Sequence, residues 1–445
     1  MVYDIIIGRN ESDSKILGKR GLIHIGKHYV KMGQTTSLSN NVFLDVAKAH
    51  VILVTGKRGS GKSYTLAVIA EEISKLPEEV AKNIGVLIFD TMGIFWTMKF
   101  PNKRDEDLLM GWRMKPRSLD IDIYVPSGFF NKYKKEGIPV DHKISIKVNE
   151  LNASDWCDAF NIKLTDSIGV LIEKTITVLE EEKGKNYSLN DIIKFLKKDK
   201  DTNKETINAT LNRFIAAKGW GLFSEKGNKI KDIVKPGRVS VIDISSYSNV
   251  AGNWGIKGLV IGLIAKKLLT ERIVARKVEE MSTIESGVSF LGVESELKSE
   301  EVPLVWILID EGHEFLPVTG RTAATDALVQ LLREGRQPGI SLVLATQQPG
   351  KIHTDVMTQS DIVISHRLTA ERDINALNAM MQTYLTSDIQ KYLNNLPRLT
   401  GSAIILDDNS ERIYPIRVRP RLSWHGGEAP TAVKTKSKEM LDLGL

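Results

Sequence analysis

The strongest constraint on the fold of this chain is a glycine-rich octapeptide with the pattern G-x-x-x-x-G-K-S. It follows a short β-branched run at residues 51–55 and opens a helical pattern over residues 64–76. Glycines let the backbone turn sharply, so that successive N–H groups and the N-terminus of the following helix point at one anion. The pattern therefore predicts a phosphate-binding loop at a strand–helix junction. Its residues are Gly56, Lys57, Arg58, Gly59, Ser60, Gly61, Lys62 and Ser63, with Tyr64 directly after them.

Two side chains of this loop carry the chemistry of a nucleoside triphosphate site. In loops with this pattern the lysine contacts the β- and γ-phosphates, and the serine hydroxyl reaches Mg²⁺. We assign these roles to Lys62 and Ser63. The sequence thus predicts ATP and Mg²⁺ as cofactors.

Short, continuous and β-branched runs alternate with helical patterns along much of the chain. Such runs are typical of a parallel sheet that is covered by helices on both faces. We therefore expect an α/β fold with a parallel-sheet core. The predicted strands are residues 51–55, 86–90, 239–244, 304–310, 340–345 and 362–365.

The pattern also predicts how the chain is divided. A stretch with apolar residues at helical spacing interrupts the strands. One helix is predicted to start at Ser188 and Asp191, and another at a capping box of Thr202 and Glu205, with its end at Gly219. Residues 279–301 are rich in Glu and predict a surface loop. The expected segments are a short N-terminal β segment at 1–45, an ATPase core at 46–149 and 236–425, an inserted helical module at 150–235, and a C-terminal tail at 426–445.

An apolar run at residues 304–310 ends in two neighbouring carboxylates, Asp310 and Glu311. An NTPase needs a carboxylate on the Mg²⁺ side of the site and a base that polarises the attacking water. Asp310 is the candidate for the first role, together with Ser63, and Glu311 is the candidate for the second. A strand followed by an acidic helix N-terminus is the alternative interpretation of the same residues.

Further candidates follow neighbouring strands. Gln347 comes after the predicted strand 340–345, where its amide could bind the γ-phosphate or the attacking water, although it could equally lie in a solvated turn. Arg333, Arg336 and Arg367 are candidates for an arginine finger that reaches a neighbouring subunit, or for cations at helix ends. Asp90 ends the predicted strand 86–90 and could lie near the site.

Composition limits the remaining classes of protein. The chain has 445 residues, of which 42% are hydrophobic and 26% charged, as in ordinary globular proteins. A single cysteine, Cys157, excludes a disulfide framework and a cysteine-rich zinc site. No apolar run approaches the roughly 20 residues of a membrane helix and no secretory signal is found, so we expect no membrane association and a cytoplasmic location. The net charge of +6 permits a nucleic-acid partner without arguing for one.

Several segments, taken in order, resemble the HerA/FtsK superfamily of P-loop ATPases, and within it the archaeal HerA group. The resemblance covers roughly residues 40–425. Its most specific part is the run Arg-Glu-Gly-Arg at 333–336, followed by a strand and by Gln-Gln-Pro at 347–349. The other segments are residues 50–63, 88–93, 309–313 and 419–423.

This resemblance implies a RecA-like P-loop core of the ASCE type, with a helical insertion, assembled as a hexameric ring that moves double-stranded DNA through its pore. It implies a nuclease partner of the NurA type, a sensor role for Gln347, and a trans-acting arginine among residues 333, 336 and 367. Members of the archaeal group carry a complete β-barrel before the core, whereas residues 1–45 predict only a short β segment.

The expected function is therefore an ATP-driven motor that translocates along or unwinds double-stranded DNA, with DNA-end processing as the expected context. The alternatives are a conjugation-type or genome-packaging ATPase of the same superfamily, and a nucleotide-operated binding switch. Three basic clusters are candidates for contact with DNA phosphates. They are Lys132, Lys134 and Lys135; Lys197, Lys198 and Lys200; and Arg417, Arg419 and Arg421.

Overall fold

One large mixed sheet organises the computed structural model, which describes residues 3–32, 35–184, 186–250, 253–288, 302–380 and 389–427. Within these residues the sheet has thirteen strands, in the order β1-β3-β2-β13-β12-β11-β4-β10-β9-β5-β8-β6-β7. The strands are β1 (Ile5–Ile7), β2 (Leu22–Met32), β3 (Thr35–Asp45), β4 (Val51–Thr55), β5 (Ile84–Asp90), β6 (Ile121–Pro126), β7 (His142–Ile144), β8 (Val239–Asp243), β9 (Leu304–Ile309), β10 (Ile340–Thr346), β11 (Ile362–His366), β12 (Ser402–Asp407) and β13 (Arg412–Val418).

The eight strands from β11 to β7 are parallel, whereas β12, β13, β2 and β3 extend the sheet in antiparallel fashion. All residues of β4, β5, β8, β10 and β11 are buried, as expected for strands covered on both faces. Because parallel strands end at the same edge, the segments after β4, β10, β9 and β5 meet at one edge of the sheet. This edge holds the candidate site.

Helices cover both faces of the sheet. The helix α2 packs on one face, in a core that contains Leu66, Ile69 and Ile364. The long helix α11 packs on the other face, in a core shared with α7, α8 and α12. The helices are α1 (Glu11–Leu17), α2 (Lys62–Ile73), α3 (Glu78–Ala81), α4 (Glu106–Gly111), α5 (Ser127–Lys135), α6 (Ala153–Ala159), α7 (Ser167–Lys183), α8 (Leu189–Lys198), α9 (Lys204–Lys218), α10 (Ile230–Ile233), α11 (Asn253–Val288), α12 (Thr325–Glu334), α13 (Thr354–Gln359), α14 (Glu371–Met380) and α15 (Ile389–Asn395).

The α/β class and the parallel core are confirmed, and some local predictions need correction. The helix predicted over 64–76 is α2, which begins two residues earlier because the phosphate loop runs straight into it. The capping residue of α9 is Asn203, whose side chain accepts a hydrogen bond from the Glu205 N–H at 2.8 Å, whereas Thr202 donates to Asp199. The predicted loop at 279–301 is wrong up to Val288, because α11 continues to that residue; residues 289–301 lie outside the described residues.

The N-terminal segment joins the main sheet. Strands β2 and β3 form a long antiparallel pair, and β2 also pairs with β13 through Gly26, Lys27 and His28. The predicted β character of residues 1–45 is therefore found in three strands that extend the same sheet as the core. No helix in the described part of the chain is long and apolar enough to cross a bilayer.

Candidate functional site

The phosphate loop lies between β4 and α2. Gly56, Gly59 and Gly61 have φ angles of 154°, 73° and 113°, which side chains other than glycine rarely adopt. A Cβ on Gly56 would also collide with the side chains of Ser60 and His366. Glycine is therefore required at this position both for the backbone conformation and for space.

The segment after β11, the strand that pairs with β4, holds the loop in place. The Lys57 N–H donates to the carbonyl oxygen of Arg367, which follows β11, at 2.9 Å. The Lys62 ammonium lies 3.3 Å from the carbonyl oxygen of Lys57, inside the curve of the loop. Burial lowers the pKa of Lys62, and the charges of Glu311 and Asp310 oppose that change.

A buried histidine, His366, contacts the first turn of α2, directly after the loop. His366 Nδ1 lies 3.1 Å from the carbonyl oxygen of Ser402, and its Nε2 lies 2.9 Å from the Thr65 hydroxyl. Because a carbonyl oxygen only accepts, Nδ1 carries the proton. The Thr65 hydroxyl also lies 3.0 Å from the Gly61 carbonyl oxygen, so its one proton is shared between that oxygen and Nε2. Burial lowers the pKa of His366 to about 4, so the ring is neutral. The sequence analysis did not identify this residue.

Ser63 and Asp310 converge at the carboxyl ends of β4 and β9. The Ser63 hydroxyl donates a short hydrogen bond to Asp310 Oδ2, while Asp310 Oδ1 accepts from the Glu311 N–H at 2.9 Å. Burial raises the pKa of Asp310, and the bond from Ser63 opposes that change. A hydroxyl and a carboxylate oxygen at one point are the hard oxygen donors that suit Mg²⁺. The residues present therefore fit the predicted metal ion.

Glu311 has an unusual backbone and an unusual carboxylate. Its φ and ψ of 54° and 44° lie in the left-handed region, which is uncommon for a non-glycine residue. The conformation turns the chain sharply at the end of β9. Burial, reinforced by the negative charge of Asp310, raises the pKa of Glu311 to about 7. In the part of the chain that the structure describes, its buried Oε2 has no hydrogen-bond partner.

A small polar network joins the segment after β9 to the segment after β10. His313 Nδ1 lies 3.1 Å from the Thr346 hydroxyl and its Nε2 lies 3.3 Å from Gln348 Nε2. The Gln348 N–H in turn donates to Thr346 Oγ1 at 3.0 Å. This network fixes the position of the turn that carries Gln347 relative to Glu311.

One cleft of about 990 Å³ lies at this edge of the sheet, and its size suits a nucleotide. Of the predicted site residues, it is lined by Arg58, Gly59, Gly61, Lys62, Ser63, Tyr64, Asp310, Glu311 and Gln347. The wall beyond Tyr64 is formed by Asp105, Leu108, Trp112, Trp254, Glu314 and residues near the C-terminus, and the sequence analysis named none of the first five. The tetrapeptide Asn102–Asp105 has the pattern N-K-x-D, which places an acidic residue at this wall.

The three candidate arginines do not meet in this cleft. Arg333 is exposed and its Nε forms an ion pair with Asp355 Oδ2 at 2.6 Å. Arg336 precedes β10, so it lies at the edge of the sheet opposite the phosphate loop. Only Arg367 is adjacent to the loop, through its carbonyl oxygen. Asp90 is buried at the end of β5, where its carboxylate accepts from the backbone N–H groups of Gly93 and Phe95, both at 2.7 Å.

The basic clusters differ in exposure. All six lysines proposed for DNA contact are exposed, on α5 and at the end of α8. Arg419 and Arg421 are 0% and 1% exposed, which corrects the prediction that they contact DNA. Both guanidinium groups pair with Glu71.

Comparisons with known proteins agree with this geometry. A family model described as the central domain of the helicase HerA matches residues 23–263. The probable DNA double-strand break repair helicase HerA of Methanocaldococcus jannaschii is 23% identical over 88% of this chain and 76% of its own length. The DNA double-strand break repair helicase HerA of Pyrococcus furiosus is 25% identical over 85% of this chain and 67% of its own length.

Among solved structures, VirB4 of Thermoanaerobacter pseudethanolicus has a TM-score of 0.53 at 12% identity, covering 90% of this chain and 96% of that chain. This likeness supports the fold alone. The family match extends from β2, through the phosphate loop and the helical region, into α11. It therefore includes the loop that binds phosphate and more than half of the chain. The chain belongs to the family of the helicase HerA central domain.

Proposed function

We propose that this protein is an ATP-hydrolysing motor that moves along double-stranded DNA. The observation that carries the hydrolytic part is the buried carboxylate oxygen Oε2 of Glu311, which accepts no hydrogen bond from the described residues and lies near Lys62 and the Ser63–Asp310 pair. A buried acid without a partner costs folding free energy, so such a group points to a role with a ligand. The DNA part is supported by the relatives, which are named as DNA double-strand break repair helicases.

Each residue of the cleft has a distinct role in this proposal. The backbone N–H groups of the loop hold the phosphates, and Lys62 neutralises charge at the β- and γ-phosphates. Ser63 and Asp310 would hold Mg²⁺, which when bound neutralises phosphate charge. Glu311 accepts the proton of the attacking water, and Gln347 orients that water or the γ-phosphate. The raised pKa of Glu311 matches a base that works near neutral pH.

The network of His313, Thr346 and Gln348 would hold the side chains of Glu311 and Gln347 in fixed positions relative to each other. A displacement of about 1 Å at a reacting group can cost on the order of 100-fold in rate. The sharp left-handed turn at Glu311 serves the same purpose, because it fixes the direction in which the carboxylate leaves the strand.

We propose that the exposed lysines of α5 and α8 include the contacts to DNA. Lysine ammonium groups bind phosphate oxygens without reading the bases, which suits a motor that has to pass any sequence. Lys132, Lys134 and Lys135 occupy the last turn of α5, and Lys197 and Lys198 occupy the last turn of α8.

We also propose that the protein forms a homo-oligomeric ring. The resemblance to the HerA/FtsK superfamily implies six subunits. Arg333 and Arg336 lie away from the cleft of their own chain, so an arginine finger from either could act only on a neighbouring subunit. A nuclease of the NurA type and a role in DNA-end processing remain part of the proposal, as does a cytoplasmic location. The solution mass with and without nucleotide tests ring formation.

The decisive experiment measures hydrolysis of ATP and of GTP with and without duplex DNA. We expect duplex DNA to raise the ATP hydrolysis rate, and DNA binding to be insensitive to sequence. Its affinity should weaken with salt at a log–log slope near −0.9 per phosphate neutralised. Replacing Lys132, Lys134 and Lys135 by Gln should make that slope shallower, whereas replacing the exposed Lys15, Lys19 and Lys48 should leave it unchanged.

An ATPase that duplex DNA does not stimulate, together with a shallow salt slope, would contradict the DNA-motor proposal. It would favour a motor that acts on protein. Preferred hydrolysis of GTP would instead contradict the prediction that ATP is the nucleotide.

A further inference from the structure

Three arginines alternate along the end of β13 and the segment after it. Arg419 donates to Glu71 Oε2 at 2.9 Å and to the carbonyl oxygen of Pro420 at 2.6 Å. Arg421 donates to the Ser423 hydroxyl at 2.9 Å, and its Nε lies 3.6 Å from Glu71 Oε1. Both guanidinium groups therefore pair with Glu71 on α2, and Arg419 also pairs with Glu72 Oε1 at 3.0 Å.

The first of the three, Arg417, has a different environment. It is only partly buried, and its guanidinium has no ion pair or hydrogen bond to any described residue. It lines the same cleft as Lys62 and Ser63. Gly401, which has a φ of 85°, lies beside its stem: a Cβ there would come within 4.0 Å of Arg417 Cγ and 3.4 Å of the Val418 carbonyl oxygen. These are ordinary van der Waals distances, so glycine is favoured at this position by its positive φ and not by lack of space.

The backbone that carries Arg417 is firmly placed. We call residues 417–427 the C-terminal strap. The N–H groups of Leu422 and Ser423 each donate to Glu71 at 3.0 Å. The Arg419 N–H donates to the Ile25 carbonyl oxygen at 3.0 Å, and the Arg421 N–H donates to the Tyr64 hydroxyl at 2.6 Å. The strap is thus tied to the helix that begins at the phosphate loop.

We propose that Arg417 binds the phosphate chain of the nucleotide, as a cation that the strap supplies from the same subunit. This inference rests on the proposed function, because it assumes that the cleft holds a nucleoside triphosphate. A guanidinium suits phosphate because its planar set of donors can bind two oxygens at once. Because the backbone that carries Arg417 is already fixed, only its side chain has to be ordered when the phosphate arrives.

DNA phosphate is the other ligand that this chemistry would fit, and the geometry favours the nucleotide. Arg417 lies in a cleft of about 990 Å³ with the phosphate loop at its side. Such a volume holds a small ligand, whereas a DNA duplex needs an open groove or a pore. The lysines of α5 and α8 are exposed and meet that need better.

The test measures the dissociation constants of a non-hydrolysable ATP analogue and of ADP, with Mg²⁺, for the full chain. Arg417→Gln should weaken both by about 10- to 100-fold, the range for one lost charge-assisted hydrogen bond to phosphate. Arg417→Lys keeps the charge and should recover part of the loss. Arg412→Gln, at the exposed start of the same strand, is the matched control and should leave both constants unchanged. Thermal unfolding of each variant shows whether it is folded.

Two results would overturn the inference. One is a folded Arg417→Gln protein whose nucleotide affinities equal those of the wild type. The other is unchanged nucleotide affinity with weaker binding of duplex DNA, which would make Arg417 a DNA contact. Lys62→Ala separates this failure from failure of the proposed function: if nucleotide binding depends on Lys62 but not on Arg417, only the inference fails, and if wild-type protein binds no nucleotide, the proposed function fails as well.

Discussion

Two glutamates with buried carboxylate oxygens show opposite solutions to the same physical problem. Glu71, in the middle of α2, accepts hydrogen bonds from Arg419, from the N–H groups of Leu422 and Ser423, and from the Ser423 hydroxyl. Burial raises its pKa, but these donors more than offset that effect, so that its pKa is lowered overall. Glu311 is only partly buried, yet its pKa is raised to about 7, and its buried Oε2, which lies 3.6 Å from His313 Nδ1, accepts no hydrogen bond from the described residues.

The difference shows how burial and partners together separate structure from function. A buried carboxylate whose oxygens are fully used can hold the fold together but has no lone pair left for a substrate. A buried carboxylate with a free oxygen costs stability and keeps the ability to accept a proton. The predictions below test this contrast, first at Glu311, then at Glu71, and then at the neutral His366.

The largest expected effect is on hydrolysis at Glu311. Glu311→Gln keeps the size of the side chain but cannot accept the proton of the attacking water. We expect the ATP hydrolysis rate to fall by about 10²- to 10⁴-fold, the usual contribution of a general base, while ATP binding is retained. Single-turnover hydrolysis and equilibrium binding should be measured separately, with the exposed Glu334→Gln as control. Equal losses of binding and hydrolysis would make Glu311 a structural residue like Glu71.

The second effect is on stability at Glu71. Glu71→Gln leaves Arg419 with Glu72 at 3.0 Å but removes the carboxylate that pairs with the buried Arg421, and an uncompensated buried charge typically costs about 3–5 kcal/mol. Chemical unfolding should show a loss of this size, and the strap should become sensitive to protease near residue 420. The exposed Glu79→Gln on α3 is the control and should change stability by less than about 0.5 kcal/mol. A folded variant of wild-type stability would show that the strap does not depend on this carboxylate.

The smallest effect is a change in the pH dependence of stability at His366. Its pKa is lowered from 6.5 to about 4 in the folded protein, so the unfolded chain binds more protons between these values. The contribution of the neutral His366 ring to the free energy of unfolding is therefore complete above about pH 6.5 and is lost as the pH falls towards 4. In His366→Gln this contribution is absent, so the difference in unfolding free energy between wild type and variant should shrink by up to about 3 kcal/mol over that range.

Unfolding free energies at pH 7 and pH 4.5 measure this change. Ile364→Val, a buried and uncharged change on the same strand, provides the control, since its cost should be the same at both pH values. A constant difference for His366→Gln as well would show that the pKa of His366 is the same in the folded and the unfolded protein.

Much of the core could be predicted from the sequence. The predicted strand at 51–55 coincides with β4, and the strands at 86–90, 239–244, 304–310, 340–345 and 362–365 differ from β5, β8, β9, β10 and β11 by at most two residues at either end. Fully buried parallel strands are easy to recognise because they are continuous apolar runs. The strands β6, β7, β12 and β13 were not predicted. In β13, partly exposed residues and Pro415 interrupt the apolar pattern.

The phosphate loop and the acidic pair Asp310–Glu311 were also determined by the sequence itself, because each is a run of neighbouring residues, whereas the contact between Ser63 and Asp310 joins residues 247 positions apart. A loop of consecutive N–H groups needs its glycines in order, and two acids at the end of an apolar strand reach the same sheet edge as the loop. The backbone of a few residues is enough to place these groups.

Only the tertiary structure decided which charged groups remain available. Arg417, Arg419 and Arg421 look equivalent in the sequence, yet Glu71, some 350 residues earlier, pairs with two of them and leaves the third in the cleft. His366 reaches Thr65 in the same way, across 301 residues. A side chain's exposure and partners depend on contacts between distant parts of the chain, and the free energy of a charge depends on those contacts more than on its own residue type.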